Sequence, residues 1–154
     1  MLTEFKNVGA GIPWSHKEIF TTRDYDNDLK VGYFCIMNGT TLKNITAPLG
    51  ASDFLMGVVL NSCCGSVVEL GLLKKEPMGI ASYVAHGQVT CKIANAIVPK
   101  RGQQLFVVVK VGSGADFGTL TNVQGTDGTD TVTGGLYITA EQPVDDGAWL
   151  VNIL

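Results

Sequence analysis

Charge is what this sequence has least of. Eleven Lys and Arg and fourteen Asp and Glu make 16% of its 154 residues charged, against roughly 25% in an average soluble domain. A face that grips nucleic-acid phosphates needs clustered Lys and Arg, and the net charge here is −3 with a pI near 5.2, so no nucleic-acid partner is expected. Long apolar runs are missing too. None exceeds five residues, as at 105–109, which is strand length and falls far short of the roughly 18 residues that cross a bilayer as a helix. Residues 1–8 are too mixed in polarity for a secretory signal, and no membrane association is expected. The four cysteines, Cys35, Cys63, Cys64 and Cys91, lack the spacing of a disulfide framework, which favours reduced thiols. A bridge between the neighbours Cys63 and Cys64 is strained.

Signatures of catalysis and ligand capture are equally sparse. There is no G-x-S-x-G elbow, and Cys64-Gly65-Ser66 does not make a cysteine-protease signature. Gly9-Ala10-Gly11 runs into Ile12-Pro13 and not into the helix start that a phosphate cradle requires. His16 and His86 sit away from the cysteines, without the convergent spacing zinc needs; His86 reads as a solvated turn residue. Asp127 and Asp130, with Asp116 nearby, have the composition of a calcium loop, but the alternating ligands and closing bidentate Glu do not follow. Asp24, Asp26 and Asp28 alternate around Tyr25 without a turn glycine. The expectation is a protein that is not an enzyme and that uses no metal or cofactor.

What is present is apolar and short-ranged in pattern. Hydrophobic residues reach 45%, glycine reaches 19 residues and the mean hydropathy is +0.23. A chain of this size suits one domain, and folded alone it would expose roughly 7,500 Å². Twenty-five charged side chains cover such a surface thinly, which points to burial against other subunits.

Beyond Lys30, β-branched and aromatic runs alternate with Gly, Pro, Asn and Asp, the pattern of an all-β sandwich or barrel. Strands are predicted over 31–37, 54–60, 67–73, 80–85, 88–93, 105–111, 136–139 and 149–153. Ala85-His86-Gly87-Gln88 predicts a hairpin turn, and Pro99-Lys100-Arg101-Gly102 a second. The unbroken apolarity of 105–109 suggests burial on both faces or at a subunit contact. Residues 112–135, rich in Gly, Thr, Asp and Ser, read as a long loop, with a short strand open over 115–120. Trp149, in a final strand, reads as core.

Residues 1–30 show no sustained period and read as an extended arm preceding a β-domain over 31–154. The arm carries Ile12, Pro13, Trp14, Phe20 and Tyr25. Large apolar groups in an extended segment need a groove to occupy, expected here on another chain, so these five are the expected interface contacts.

Val31-Gly32-Tyr33-Phe34-Cys35-Ile36, Phe54-Leu55-Met56-Gly57-Val58, Val84-Ala85-His86-Gly87-Gln88-Val89 and the closing Gly147-Ala148-Trp149-Leu150-Val151-Asn152-Ile153 together resemble the structural cement, or capsid decoration, proteins of tailed bacteriophages. The resemblance covers about residues 31–154. It implies a single β-sandwich or jelly-roll-like domain that binds the outside of a shell of phage major capsid protein and clamps adjacent capsomers. It further implies a homo-oligomer, dimer or trimer, located in the virion on the capsid exterior after assembly in the host cytoplasm. The family offers no catalytic residues to carry over. A phage tail or baseplate β-protein fits the same composition, and a small hydrolase or ligand-binding barrel is the enzyme-class alternative, marked by a deep pocket lined by His86, a cysteine and a carboxylate.

Overall fold

The computed structural model of the chain describes residues 18–61, 67–94, 97–100, 102–109, 117–122, 131–138 and 148–153. Among them are the strands β1 (Glu18–Thr22), β2 (Leu29–Lys30), β3 (Phe34–Asn38), β4 (Thr41–Asn44), β5 (Asp53–Val59), β6 (Val67–Glu69), β7 (Leu72–Lys74), β8 (Ala81–Lys92), β9 (Gln104–Val108), β10 (Leu120–Thr121), β11 (Thr131–Ile138) and β12 (Ala148–Ile153). The all-β class is as expected. A nine-stranded antiparallel sheet runs β10-β9-β11-β12-β8-β5-β3-β4, with β1 also on β8, and β2-β7-β6 form a second, three-stranded sheet.

The large sheet curls until its distant parts meet. The Phe34 amide at the start of β3 donates to the Gly118 carbonyl at 2.9 Å, the Lys92 amide donates to Gly32 at 2.8 Å, and Ile93 forms a parallel bridge with Leu120. Gly118 holds φ +83°, and a Cβ there would lie 2.8 Å from the Phe34 carbonyl oxygen, so this closure needs glycine.

Side-chain alternation along β3, β5 and β8 sorts the apolar residues onto two faces. Phe34, Ile36, Val58 and Val84 join Leu105, Val107, Trp149 and Val151 in the larger core. Cys35, Val59, Ala81 and Tyr83 turn the other way and pack with Tyr25, Leu29, Leu42 and Leu73, four residues of β2, β4, β7 and the 23–28 stretch. The result is a layered architecture consistent with a β-sandwich. Residues 105–109 are all buried, because β9 is flanked by β10 and β11. Trp149 is core, as expected.

The predicted hairpin at 85–88 is instead the middle of one twelve-residue strand, β8. Its buried positions change parity, from Val84 to Val89 and Cys91, and the pairing with β1 steps from Ile19 opposite Val84 to Glu18 opposite His86. Ala85 is thus the extra residue of a β-bulge, and Gly87 takes φ 105° beside it. The predicted strand 67–73 is itself a hairpin: Leu70 and Gly71 carry φ 52° and 77° between paired Glu69 and Leu72, as a two-residue primed turn demands. The second predicted turn is present, closed by the Gln103 amide donating to Lys100 at 3.0 Å.

Two boundaries also move. Residues 18–30 were expected in the arm, yet β1 pairs with β8 and β2 with β7, so this stretch belongs to the β-domain. Within the 112–135 stretch, expected as a loop with a short strand open over 115–120, the short strand is β10 at Leu120–Thr121, Phe117, Thr119, Leu120 and Thr121 are buried, and β11 already begins at Thr131.

Candidate functional site

Chemistry can be weighed residue by residue. Cys35 is buried and donates its thiol hydrogen to the Gly57 carbonyl at 3.3 Å; burial pushes its pKa up to about 12. Cys91 is buried and shifted upward for the same reason. Both thiols are protonated at neutral pH and are poor nucleophiles. His86 is solvated, as expected, but from a strand: its Nε2 lies 3.9 Å from Glu18 Oε2, with both side chains more than half exposed. Such a contact contributes little. Cys63, Cys64, His16, Asp116, Asp127 and Asp130 lie outside the described residues.

The alternating aspartates have separate structural tasks. Asp24 accepts hydrogen bonds from the Thr40 and Thr41 hydroxyls at 2.6 and 3.1 Å, which hold its carboxyl below the usual range. Asp28 accepts from Lys74 Nζ at 2.6 Å, and that bond raises the Lys74 pKa. Among the described residues, no three His, Cys, Asp or Glu side chains are grouped to hold a metal ion.

A groove of about 470 Å³ lies between the 30–33 turn, the β6–β7 hairpin and the ends of β8 and β12. Its walls are Lys30, Val31, Gly32, Tyr33, Leu70, Gly71, Leu72, Thr90, Lys92 and Ala148. Among the described residues, neither His86, Cys35, Cys91 nor a carboxylate lines it, so they do not give it the mark set for a hydrolase.

The surface is more informative. Ile19 is 50% exposed and Phe20 48%, both on β1, while Phe54, Leu70, Met78 and Val98 also stand in solvent. Leu70 is fully exposed at a left-handed turn position, a costly place for a non-glycine residue. Phe20 stacks on Tyr83, with ring centroids 5.6 Å apart and planes 23° apart. Isolated apolar residues are ordinary on a protein surface; two adjacent ones pointing to opposite faces of one strand are less so.

Of the five expected contact residues, Phe20 is placed on this surface. Ile12, Pro13 and Trp14 lie outside the described residues. Tyr25 is corrected: it is 2% exposed, within the second core, and its hydroxyl donates to the Lys74 carbonyl. Sequence reading missed Ile19, which stands beside Phe20, and Leu70, whose neighbour Gly71 was the available turn signal.

In overall fold the chain is similar to a chain of the capsid of Myoviridae phage XM1, with a TM-score of 0.71 and 15% sequence identity, over 92% of this chain and 85% of that one. No family model and no curated protein matches the sequence.

Proposed function

We propose that this chain is a structural virion protein, a capsid cement or decoration protein, that binds the outer surface of a phage shell and stabilises contacts between capsomers. The observation that carries the reading is the likeness in fold, over nearly the whole chain, to a chain of a phage capsid. The exposed apolar side chains of β1 and the β6–β7 hairpin support it, since a sparsely charged subunit is suited to burial at several contacts. In this reading the chain is not an enzyme, its partners are the phage major capsid protein and further copies of itself, and Ile12, Pro13, Trp14 and Phe20 are contact residues.

The test mixes the purified chain with shells assembled from the candidate phage's major capsid protein and locates bound copies by electron microscopy. Regularly spaced density outside the shell is expected. Absence of binding, or density confined to a tail assembly, overturns the reading. Robust turnover that disappears when His86 or a cysteine is replaced by Ala overturns the non-enzymatic part.

A further inference from the structure

Open sheet edges recruit strands, and proteins ordinarily blunt them with short length, charge, proline, bulges or a covering segment. Most edges here are blunted. On β4, the Leu42 amide donates to Asp24 and the Asp26 amide to Leu42, each at 3.0 Å, so residues 24–26 cover that side. β10 and β2 are two residues long, and β6 is three and ends in Glu69.

β1 is different. Its sequence, Glu18-Ile19-Phe20-Thr21-Thr22, contains no proline and no lysine. Among the described residues it pairs with β8 alone, and residues 19–22 run in unbroken register against 84–81. The side chains of residues 18–21 are exposed on both faces of the strand.

We propose that β1 pairs with β1 of a second copy of this chain, antiparallel and centred on Phe20, so that the large sheet continues through a two-fold axis. The strand is self-complementary in that register. Phe20 faces Phe20, Ile19 faces Thr21, and Glu18 faces Thr22, which gives one aromatic cross-strand pair and, each occurring twice by symmetry, Ile–Thr and Glu–Thr pairs with no like charges opposed. Any offset shortens the ladder, and a parallel arrangement would set Glu18 against Glu18. Two copies related by this axis make an isologous contact, which closes without further growth.

A five-residue ladder is smaller than the roughly 800 Å² per partner of a stable interface. The dimer is therefore weak in free solution, and it strengthens wherever a surface holds two copies close together. The pairing itself requires no shell, so its failure is separable from that of the proposed function.

Sedimentation of the full chain alone, from about 10 μM to about 1 mM, should show a reversible monomer–dimer equilibrium in that range. Ile19→Lys should raise the dissociation constant at least tenfold, because lysine on an edge strand opposes pairing. Under mild oxidant, Phe20→Cys should form a covalent dimer above the level of the parent chain, whose own cysteines set the baseline, whereas Glu18→Cys should not. If Phe20→Cys misfolds through loss of its stack on Tyr83, an equimolar mixture of Ile19→Cys and Thr21→Cys chains tests the same register. A monomer throughout the range, a trimer, or equal crosslinking at positions 18 and 20 overturns the proposal. So does a chain that stays monomeric alone and uses β1 solely to bind shells, which assigns the edge to a segment of the shell protein.

Discussion

The hydroxyl of Tyr25 donates to the backbone carbonyl of Lys74 at 3.1 Å, tying the stretch between β1 and β2 to the end of β7. Lys75 reinforces the contact, its ammonium 4.3 Å from the Tyr25 ring centroid and donating to the Arg23 carbonyl at 2.8 Å. A residue whose sequence context suggested an exposed contact thus joins the two sheets.

Tyr25→Phe should cost about 1 kcal/mol, the value of one hydrogen bond, and Tyr25→Ala about 3–5 kcal/mol, as for a fully buried aromatic. Urea unfolding measures both. An unchanged midpoint in Tyr25→Ala would show that the ring does no structural work in this chain. By the same reasoning, removal of residues 2–30 takes away β1, β2 and Tyr25 and should abolish the cooperative transition.

The elements legible in the sequence are those whose apolar periodicity is strong and local. The run at 105–109 and the final strand around Trp149 both declare themselves that way, and both are core. β1 was not legible because both its faces are exposed, so it has no apolar–polar alternation to read. Gly87 misled because a glycine between two alternating runs signals either a turn or a bulge, and only the long-range partners β1 and β12 decide between them. Both strands reach that point, Glu18 opposite His86 and Ile153 opposite Gly87. Of the candidate contact site, Phe20 was legible by residue type, while Ile19 and Leu70 depended on knowing which face the fold leaves uncovered.

At Gly57, β5 lies close against the backbone of β8. A Cβ there would collide with the Val84 carbonyl, and the nearest atoms, of Val84 and Ala85, are all backbone, so no flexible side chain can yield. Gly57→Ala should therefore destabilise by about 2–3 kcal/mol or more. Gly39, at φ 63° but with open space around its Cβ position, should tolerate alanine with a loss of about 1 kcal/mol. Equal losses at the two sites in thermal unfolding would contradict the close approach of β5 and β8.

Acid should weaken the fold through two carboxylates, the exposed Asp24 and the half-buried Asp53. Asp24 is held below the usual 3.8 by the Thr40 and Thr41 hydroxyls, and Asp53 by the Asn38 amide, 2.6 Å away, and the Gly50 amide, 2.8 Å away. In the unfolded chain both carboxyls bind protons at higher pH than in the fold, so their contribution is present above about pH 4 and is lost as the pH falls through the depressed folded values. Unfolding free energy measured between about pH 6 and pH 3 should fall, and the fall should be shallower in a Thr40→Val/Thr41→Val variant. An identical slope would rule out the hydroxyls as the cause.

Salt separates an apolar clamp from an ionic one. Of the basic residues that an ionic grip on a shell would use, Lys74 is engaged by Asp28 at 2.6 Å, and Lys75 is turned onto the Tyr25 ring and the Arg23 carbonyl. Using either on a partner means breaking an internal contact first. Lys100 and Arg101 belong to the second turn in sequence, and Arg101 lies outside the described residues. In the proposed role, apolar side chains and strand edges would be the main contacts that hold many capsomers at once, and such contacts gain strength through multivalency and not through charge. Shells carrying the protein should therefore resist heat almost as well at about 1 M salt as at about 0.05 M, although the screening length falls severalfold over that range. Protection that vanishes at the higher salt would reject the apolar clamp, and Ala substitutions at Lys74, Lys75, Lys100 and Arg101 would then locate the ionic contact.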